Sequence, residues 1–389
     1  MKYWIGYLVA VIFAVIAWFL MQFAQAHTVL VDMIYPYISR MIISALAKWS
    51  SGGGLVWQKI LLISIITGAV LLVVLAFVFR WKVIRWIGWG LAVVSFVGML
   101  NVGLYGLNAY ASPLADDISL EVSDYTVAEL HEAAVYFRDK ANELATQVSR
   151  DKNGDVEFGT FEEMAEAAGE GFKVMTYDQA ISVFAGSTEP VKEQKWFCKK
   201  GDSGMTVALT GEAAVNPDVP EVSMPFAMCK EMAHRMCIYS DVDGNFAAFL
   251  TASNNPSQNF QYSAYLMAYY YCYETLAAIP TSTAKASASQ TDSGVNQLLA
   301  NDLEDCRKFY GESSEKTNNV VEEAPSNEEE EAVVTFSSYT SSTDLYVSWY
   351  IQNFIIPTHQ EEEVPFNPYD SNQVDLGGIV NAPTAPAAG

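Results

Sequence analysis

Acidic side chains are almost missing from the start of this 389-residue chain: before residue 106 only Asp32 is acidic. Seven basic residues share that stretch, namely Lys2, Arg40, Lys48, Lys59, Arg80, Lys82 and Arg85. A segment so poor in charge cannot face water over its length and reads as a membrane anchor. Histidine is scarce as well, with four in all (His27, His131, His234 and His359), which leaves few imidazoles for a metal site. The five cysteines, Cys198, Cys229, Cys237, Cys272 and Cys306, include no CxxC pair, which argues against a thiolate zinc cage. Their odd number leaves at least one thiol unpaired, and one disulfide or none is expected. Cys229 and Cys237 on a single helix would lie about 12 Å apart along its axis, too far to bridge.

What remains after residue 105 carries 15 basic and 44 acidic residues, a formal charge of −29. A surface that negative repels nucleic acid and anionic lipid, so no nucleic-acid partner is expected. The partners expected are the lipid bilayer and an extracytoplasmic peptide or protein.

Residues 1–108 read as an anchor with three transmembrane helices, at about 4–24, 55–79 and 83–108. Ala24-Gln25-Ala26 also resembles a signal-peptidase site, but the apolar run exceeds a usual signal core, which favours an uncleaved anchor. The basic loop Arg80-Trp81-Lys82 belongs inside by the positive-inside rule, so a multi-pass cell-membrane protein with its C-terminal domain extracytoplasmic is expected. Residues 27–50 have apolar positions at helical spacing (Ile34, Ile38, Ile42, Leu46) but are interrupted by Pro36 and carry Asp32, Arg40 and Lys48. An interfacial or re-entrant helix fits them better than a further span. The spans hold almost no acidic or polar relay groups, which speaks against a transporter.

The soluble part reads as mostly α with a small β element. Thr126-Val127-Ala128-Glu129 and Thr160-Phe161-Glu162-Glu163 are capping boxes that open helices to about Gln147 and Lys173. His131 is expected as an exposed helical residue. Asp151–Asp155 is like a calcium loop, but Val156 stands where its sharp turn needs glycine, so a plain turn is expected. Strand-like pieces follow at Lys195–Lys199, Met205–Leu209 and Gly211–Asn216. Helices return around Lys230–His234, after an Asp241–Gly244 turn at Ala247–Thr251, then at Tyr262–Leu276 and Val295–Tyr310. The tyrosines at 262, 265, 269 and 273 form a helical stripe suited to core packing. Residues 109–311 thus form the main domain, 312–335 an acidic disordered insertion, 336–356 a C-terminal helix and 357–389 a disordered tail.

The segment that carries chemistry is Lys230-Glu231-Met232-Ala233-His234. It matches the zinc-peptidase signature His-Glu-x-x-His, whose two imidazoles share one helix face, except that lysine stands at the first ligand. A protonated amine offers a metal no lone pair. Together with Gly211–Asn216, Val219-Pro220, Val222–Phe226, Asp243–Phe246 and Tyr262–Leu266, this segment resembles the bacterial domain-of-unknown-function family 3810. That resemblance implies a membrane-anchored zincin-like α+β domain with an HExxH-type motif. It would make Glu231 the general base, His234 and Asp243 metal ligands, and Gly211, Glu212, Ala213 and Tyr262 substrate-binding residues. With Lys230 in place of the first ligand, these roles are vestigial and no cofactor is expected, which describes a pseudo-metallopeptidase acting by binding or scaffolding. The alternative is an active membrane zinc metallopeptidase with a non-standard ligand set, the replacement ligand being the Cys229 or Cys237 thiolate, and zinc as its cofactor. Lys230 either replaces the metal's charge beside Glu231 and Asp243 or simply reaches solvent.

Overall fold

The computed structural model describes residues 4–51, 57–78, 83–195, 198, 201–311 and 339–355. The expected acidic insertion, disordered tail, glycine turn after Ser51 and basic loop 80–82 lie outside the described residues, as does most of the strand expected at 195–199.

Helices α1 (Ile5–Ala26) and α4 (Val83–Leu104) pack parallel along their lengths. At one end the Tyr7 hydroxyl donates to the Ile84 carbonyl, and at the other Leu20, Met21 and Ala24 gather with Val102 and Leu107. The two backbones meet where Gly6 faces Gly88: a Cβ at Gly6 would stand 2.6 Å from the Gly88 carbonyl carbon. Small residues permit this close approach between apolar helices.

Helix α2 (Thr28–Ser51) is continuous through Pro36, which therefore does not interrupt it as the sequence suggests. Proline removes one backbone donor but leaves the turns on either side intact. The middle of α2 lies over the far end of α4, where Tyr35 and Ser39 donate to the carbonyls of Val102 and Leu104. Its other side lies along the globular domain. Asp32 accepts from the Ser112 amide at 2.8 Å, and Arg40 donates to the carbonyls of Met236 and Ser182, each at 3.0 Å. Farther along, Ile43 and Ala47 press on Gly211, and the Ser50 carbonyl accepts from Lys192 at 2.9 Å. From Asp32 to Ser50 these contacts extend about 27 Å along the axis. Helix α3 (Trp57–Val78) follows at the place of the expected second span. Among the described residues, the helices long and apolar enough to cross a membrane are Ile5–Ala26, Thr28–Ser51 and Ile84–Leu104. This is a membrane protein by that measure.

The globular part is mostly helical. After a 3-10 turn at Gly106–Tyr110 come α5 (Leu114–Asp117), α6 (Val127–Ala145) and α7 (Phe161–Lys173). Both capping boxes form, with Thr126 and Thr160 exchanging hydrogen bonds with Glu129 and Glu163. A three-stranded sheet follows: β1 (Lys192–Glu193), β2 (Gly204–Val207) and β3 (Glu212–Val215), in the order β1-β3-β2. β3 is therefore central, parallel to β1 and antiparallel to β2.

Next come α8 (Met224–Arg235), α9 (Asp241–Ser253), α10 (Gln258–Ala278), α11 (Ser282–Ser293), α12 (Gln297–Tyr310) and α13 (Ser342–Tyr350). α10 runs through the middle and packs on α6, α8, α9 and α13. Phe137, Phe246, Phe249 and Tyr346 fill the space around it, and Tyr262 and Tyr269 of the tyrosine stripe are fully buried. His131 is half-buried rather than exposed, with Nδ1 2.8 Å from the Thr291 hydroxyl. All five cysteines are free.

Arg40 joins α2 to the end of α8 through the buried Met236 carbonyl and to the turn at 182–184 through the Ser182 carbonyl. Arg40→Met keeps the apolar stem and leaves both acceptors without the guanidinium. It should cost about 2–3 kcal/mol, read as a lower denaturation midpoint of the full chain in micelles.

Candidate functional site

α8 opens with Pro225 in its first turn, where proline's missing N–H costs nothing. Its 3.6-residue repeat puts Lys230, Glu231 and His234 on the side facing β2 and the start of α9. The helix stops at Arg235, and Cys237 follows in the left-handed region at φ +72°. The Ile238 amide then donates back to the Ala233 carbonyl at 3.2 Å, closing a Schellman-type cap that usually has glycine at the reversed position. Cys237 is held there by α2, its thiol donating to the Ser39 hydroxyl at 3.2 Å. It thus faces α2 and supplies no donor to the Lys230–His234 face.

The chain re-enters a helix at Asp241. The expected Asp241–Gly244 turn is instead the first turn of α9, capped by the Ser240 side chain. That cap decides which aspartate reaches the site. Asp243 accepts from Ser240 Oγ at 2.7 Å, from Tyr339 Oη at 2.6 Å and from the Leu114 amide at 3.3 Å. It faces a second cavity of about 440 Å³, beneath α2 and away from His234. Asp241 takes the place expected for Asp243: its Oδ1 lies 2.8 Å from Lys230 Nζ and 3.5 Å from His234 Nε2.

His234 is oriented from behind. Its Nδ1 lies 2.9 Å from the Ile238 carbonyl, which can only accept, so Nδ1 carries a proton and Nε2 is turned to the cavity. Gly244 leaves room for the ring, since a Cβ there would stand 2.7 Å from His234 Cε1. Glu231 is buried, 2% exposed, with Oε2 3.1 Å from the Thr206 hydroxyl of β2. Gly204 makes space for it, because a Cβ would come within 2.7 Å of Glu231 Cγ.

Burial pushes the Glu231 carboxyl above its ordinary pKa, opposed by His234, Lys230 and the Thr206 hydroxyl. Asp241 is held well below the usual carboxylate range by its hydrogen bond with His234 and by the Lys230 ammonium. Two carboxyl groups in one cavity are thus driven in opposite directions.

These residues line a cavity of about 660 Å³, a size suited to a small ligand or a short peptide. Tyr239, Tyr270, Tyr271 and Tyr310 contribute aromatic walls, and Gly204, Met205 and Thr206 of β2 form one side. Gly211, Glu212 and Ala213 are elsewhere. Gly211 packs on α2, Glu212 accepts from Lys192 Nζ at 2.9 Å and from the Trp57 amide at 2.8 Å, and Ala213 is buried in the sheet. Tyr262 is also remote, donating to Asp302 at 2.5 Å beside the Arg150–Asp302 ion pair.

Donors for a metal ion at Lys230–His234 amount to His234 Nε2, Asp241 and Glu231, and the Lys230 ammonium occupies Asp241. A catalytic zinc takes three protein ligands, with the acid-base glutamate outside that set, so these residues do not fit one. Among the described residues no group of three or more histidine, cysteine, aspartate or glutamate side chains is arranged to hold a metal.

The raised Glu231 pKa has a sign. Its contribution to stability is complete below the unfolded value of 4.5 and is lost as pH rises through the folded value. Glu231→Gln should therefore gain thermal stability relative to the parent at pH 8 and lose that gain at pH 4. Melting curves of the full chain at both values check it, and an equal shift at both would count against a buried, titrating Glu231.

A family model described as "Protein of unknown function (DUF3810)" matches residues 31–324, which include most of α2 together with α3, α4 and the whole site. No curated protein and no solved structure matches the chain. With three quarters of its length under that match, the chain belongs to the DUF3810 family.

Proposed function

We propose that this protein is a membrane-anchored, zincin-like binding protein that has no peptidase chemistry and holds an extended peptide outside the membrane. The observation that carries the proposal is the 2.8 Å pair between Lys230 Nζ and Asp241 Oδ1. An ammonium there puts one positive charge beside His234 and Glu231, where a zincin would hold a divalent ion. With an ammonium in place of the ion, a water beside Glu231 would not be acidified by coordination.

Binding falls to the sheet edge. β2 pairs with β3 on one side only among the described residues, and its Gly204–Thr206 backbone borders the cavity. A free edge can take up an extended peptide through main-chain hydrogen bonds, with side-chain pockets adding selectivity. Tyrosine walls suit that role, offering large contact area at small entropic cost. In this proposal β2 does what was expected of Gly211–Ala213, whose strand has both edges occupied.

The basic residues Arg80 and Lys82 support an outer placement of the domain by the positive-inside rule, and the contacts of α2 with both α4 and the domain support its lying along the surface. A zinc peptidase with an unusual ligand set makes the opposite prediction about metal. The purified full chain should carry less than about one zinc per ten molecules, against the near-stoichiometric loading that a structural-strength site implies. Stoichiometric zinc that disappears in His234→Ala would contradict the proposal. Lys230→His combined with Asp241→Glu should create zinc binding that neither parent residue supports.

A further inference from the structure

We infer that the membrane anchor forms one wall of this cavity, and that the peptide it takes is the stretch leaving the bilayer directly after a transmembrane helix of another protein. The inference rests on the peptide-binding proposal above and adds where the peptide comes from.

The wall is supplied by α4. Asn101, in the last turn of that helix, and Tyr105, just beyond its end, line the same cavity as Lys230, Glu231 and Asp241. The Tyr105 ring packs against Tyr239 with centroids 5.3 Å apart, closing the cavity on the anchor side. Asn101 is one turn from the end of the span, so the cavity begins within about 5 Å of the level at which α4 leaves the membrane. Met205 lines the same cavity, so a chain emerging from the bilayer beside α4 would enter it next to the β2 edge.

α2 fixes the domain at that level. Tyr35 and Ser39 bind the last carbonyls of α4, and Val31 and Leu107 pack on Ala24 at the end of α1. The helix therefore crosses over the ends of both spans. It exposes Val29, Met33, Tyr37 and Met41, one apolar residue per turn and each at least 60% exposed, with Met33 and Tyr37 also at the border of the second cavity. Such a stripe is costly in water and favourable in the headgroup and acyl boundary. With α2 set in that boundary, the domain rests on the bilayer and cannot lift the cavity away from it.

A phospholipid headgroup is the other membrane-borne candidate, and the charges disfavour it. Asp202, Glu231 and Asp241 line the cavity, while Lys230, a cation among the described lining residues, is already paired with Asp241. A phosphate would meet more carboxylates than cations there. The β2 edge instead offers main-chain groups that match a peptide.

The test uses the full chain with a photoreactive benzoylphenylalanine at Met205, reconstituted in phosphatidylcholine nanodiscs. The probes are single-span peptides bearing about ten randomised residues after the span, enough to cross the cavity at roughly 3.3 Å per residue, and the same randomised segments free in solution. Labelling of the span-linked probe should exceed that of the soluble one by about tenfold or more. Its adducts should map within about five residues of the span, the reach that an extended chain allows. Asn101→Trp, at an exposed position that narrows the mouth, should reduce labelling by about tenfold with an unchanged melting curve, equivalent to about 1.4 kcal/mol. Labelling that ignores this substitution reflects local concentration alone and overturns the inference. Equal labelling by soluble segments would leave peptide binding standing and remove the membrane-borne source. Adducts of lipid mass alone would make the headgroup the occupant, and no labelling of either probe would remove both proposals.

Discussion

The ion pair between Lys230 and Asp241 sits where two helices meet, and the surrounding geometry is organised by it. α8 delivers the lysine and His234, and α9 begins with the aspartate. Asp241 is largely exposed at its own side chain while Lys230 is mostly buried, so the pair lies at the lip of the cavity with its positive end inward. Exposed ion pairs contribute little to stability. Its weight is electrostatic: the ammonium balances the Asp241 carboxylate beside a Glu231 whose pKa burial pushes up.

The same helix is held at its far end by the anchor. Arg40 binds the last carbonyl of the α8 cap, and Cys237 adopts a left-handed conformation while contacting Ser39. Ser39 in turn binds Leu104 at the end of α4. α8, α2 and α4 are therefore linked by consecutive contacts through residues 237, 39 and 104. A soluble fragment beginning after α4 would lose Arg40 from the α8 cap and Asn101 from the cavity wall.

Much of this was legible from local pattern. The capping boxes at Thr126 and Thr160, the face shared by Lys230, Glu231 and His234, and the burial of Tyr262 and Tyr269 all follow from helical periodicity. What escaped depended on competition or tertiary order. Ser240-x-x-Asp243 is itself a helix-start pattern, and reading it so would have assigned Asp243 to the cap and left Asp241 for the cavity. The central position of β3 cannot be read from its residues, because strand order is set by packing. α11 was missed since its Ser-Thr-Ala-Lys-Ala-Ser-Ala-Ser sequence has almost no apolar face, and it buries only Ala284, Ala288 and Thr291. Pro36 looked like an interruption, but contacts on two sides of α2 keep that helix whole.

The most direct measurement is an anomalous diffraction map at the zinc edge, from crystals of the full chain grown with excess zinc. The account predicts no peak between His234 and Asp241, with the Lys230 ammonium still in contact with Asp241. A strong peak bonded to His234 Nε2 and a carboxylate, with the lysine swung away, would contradict it.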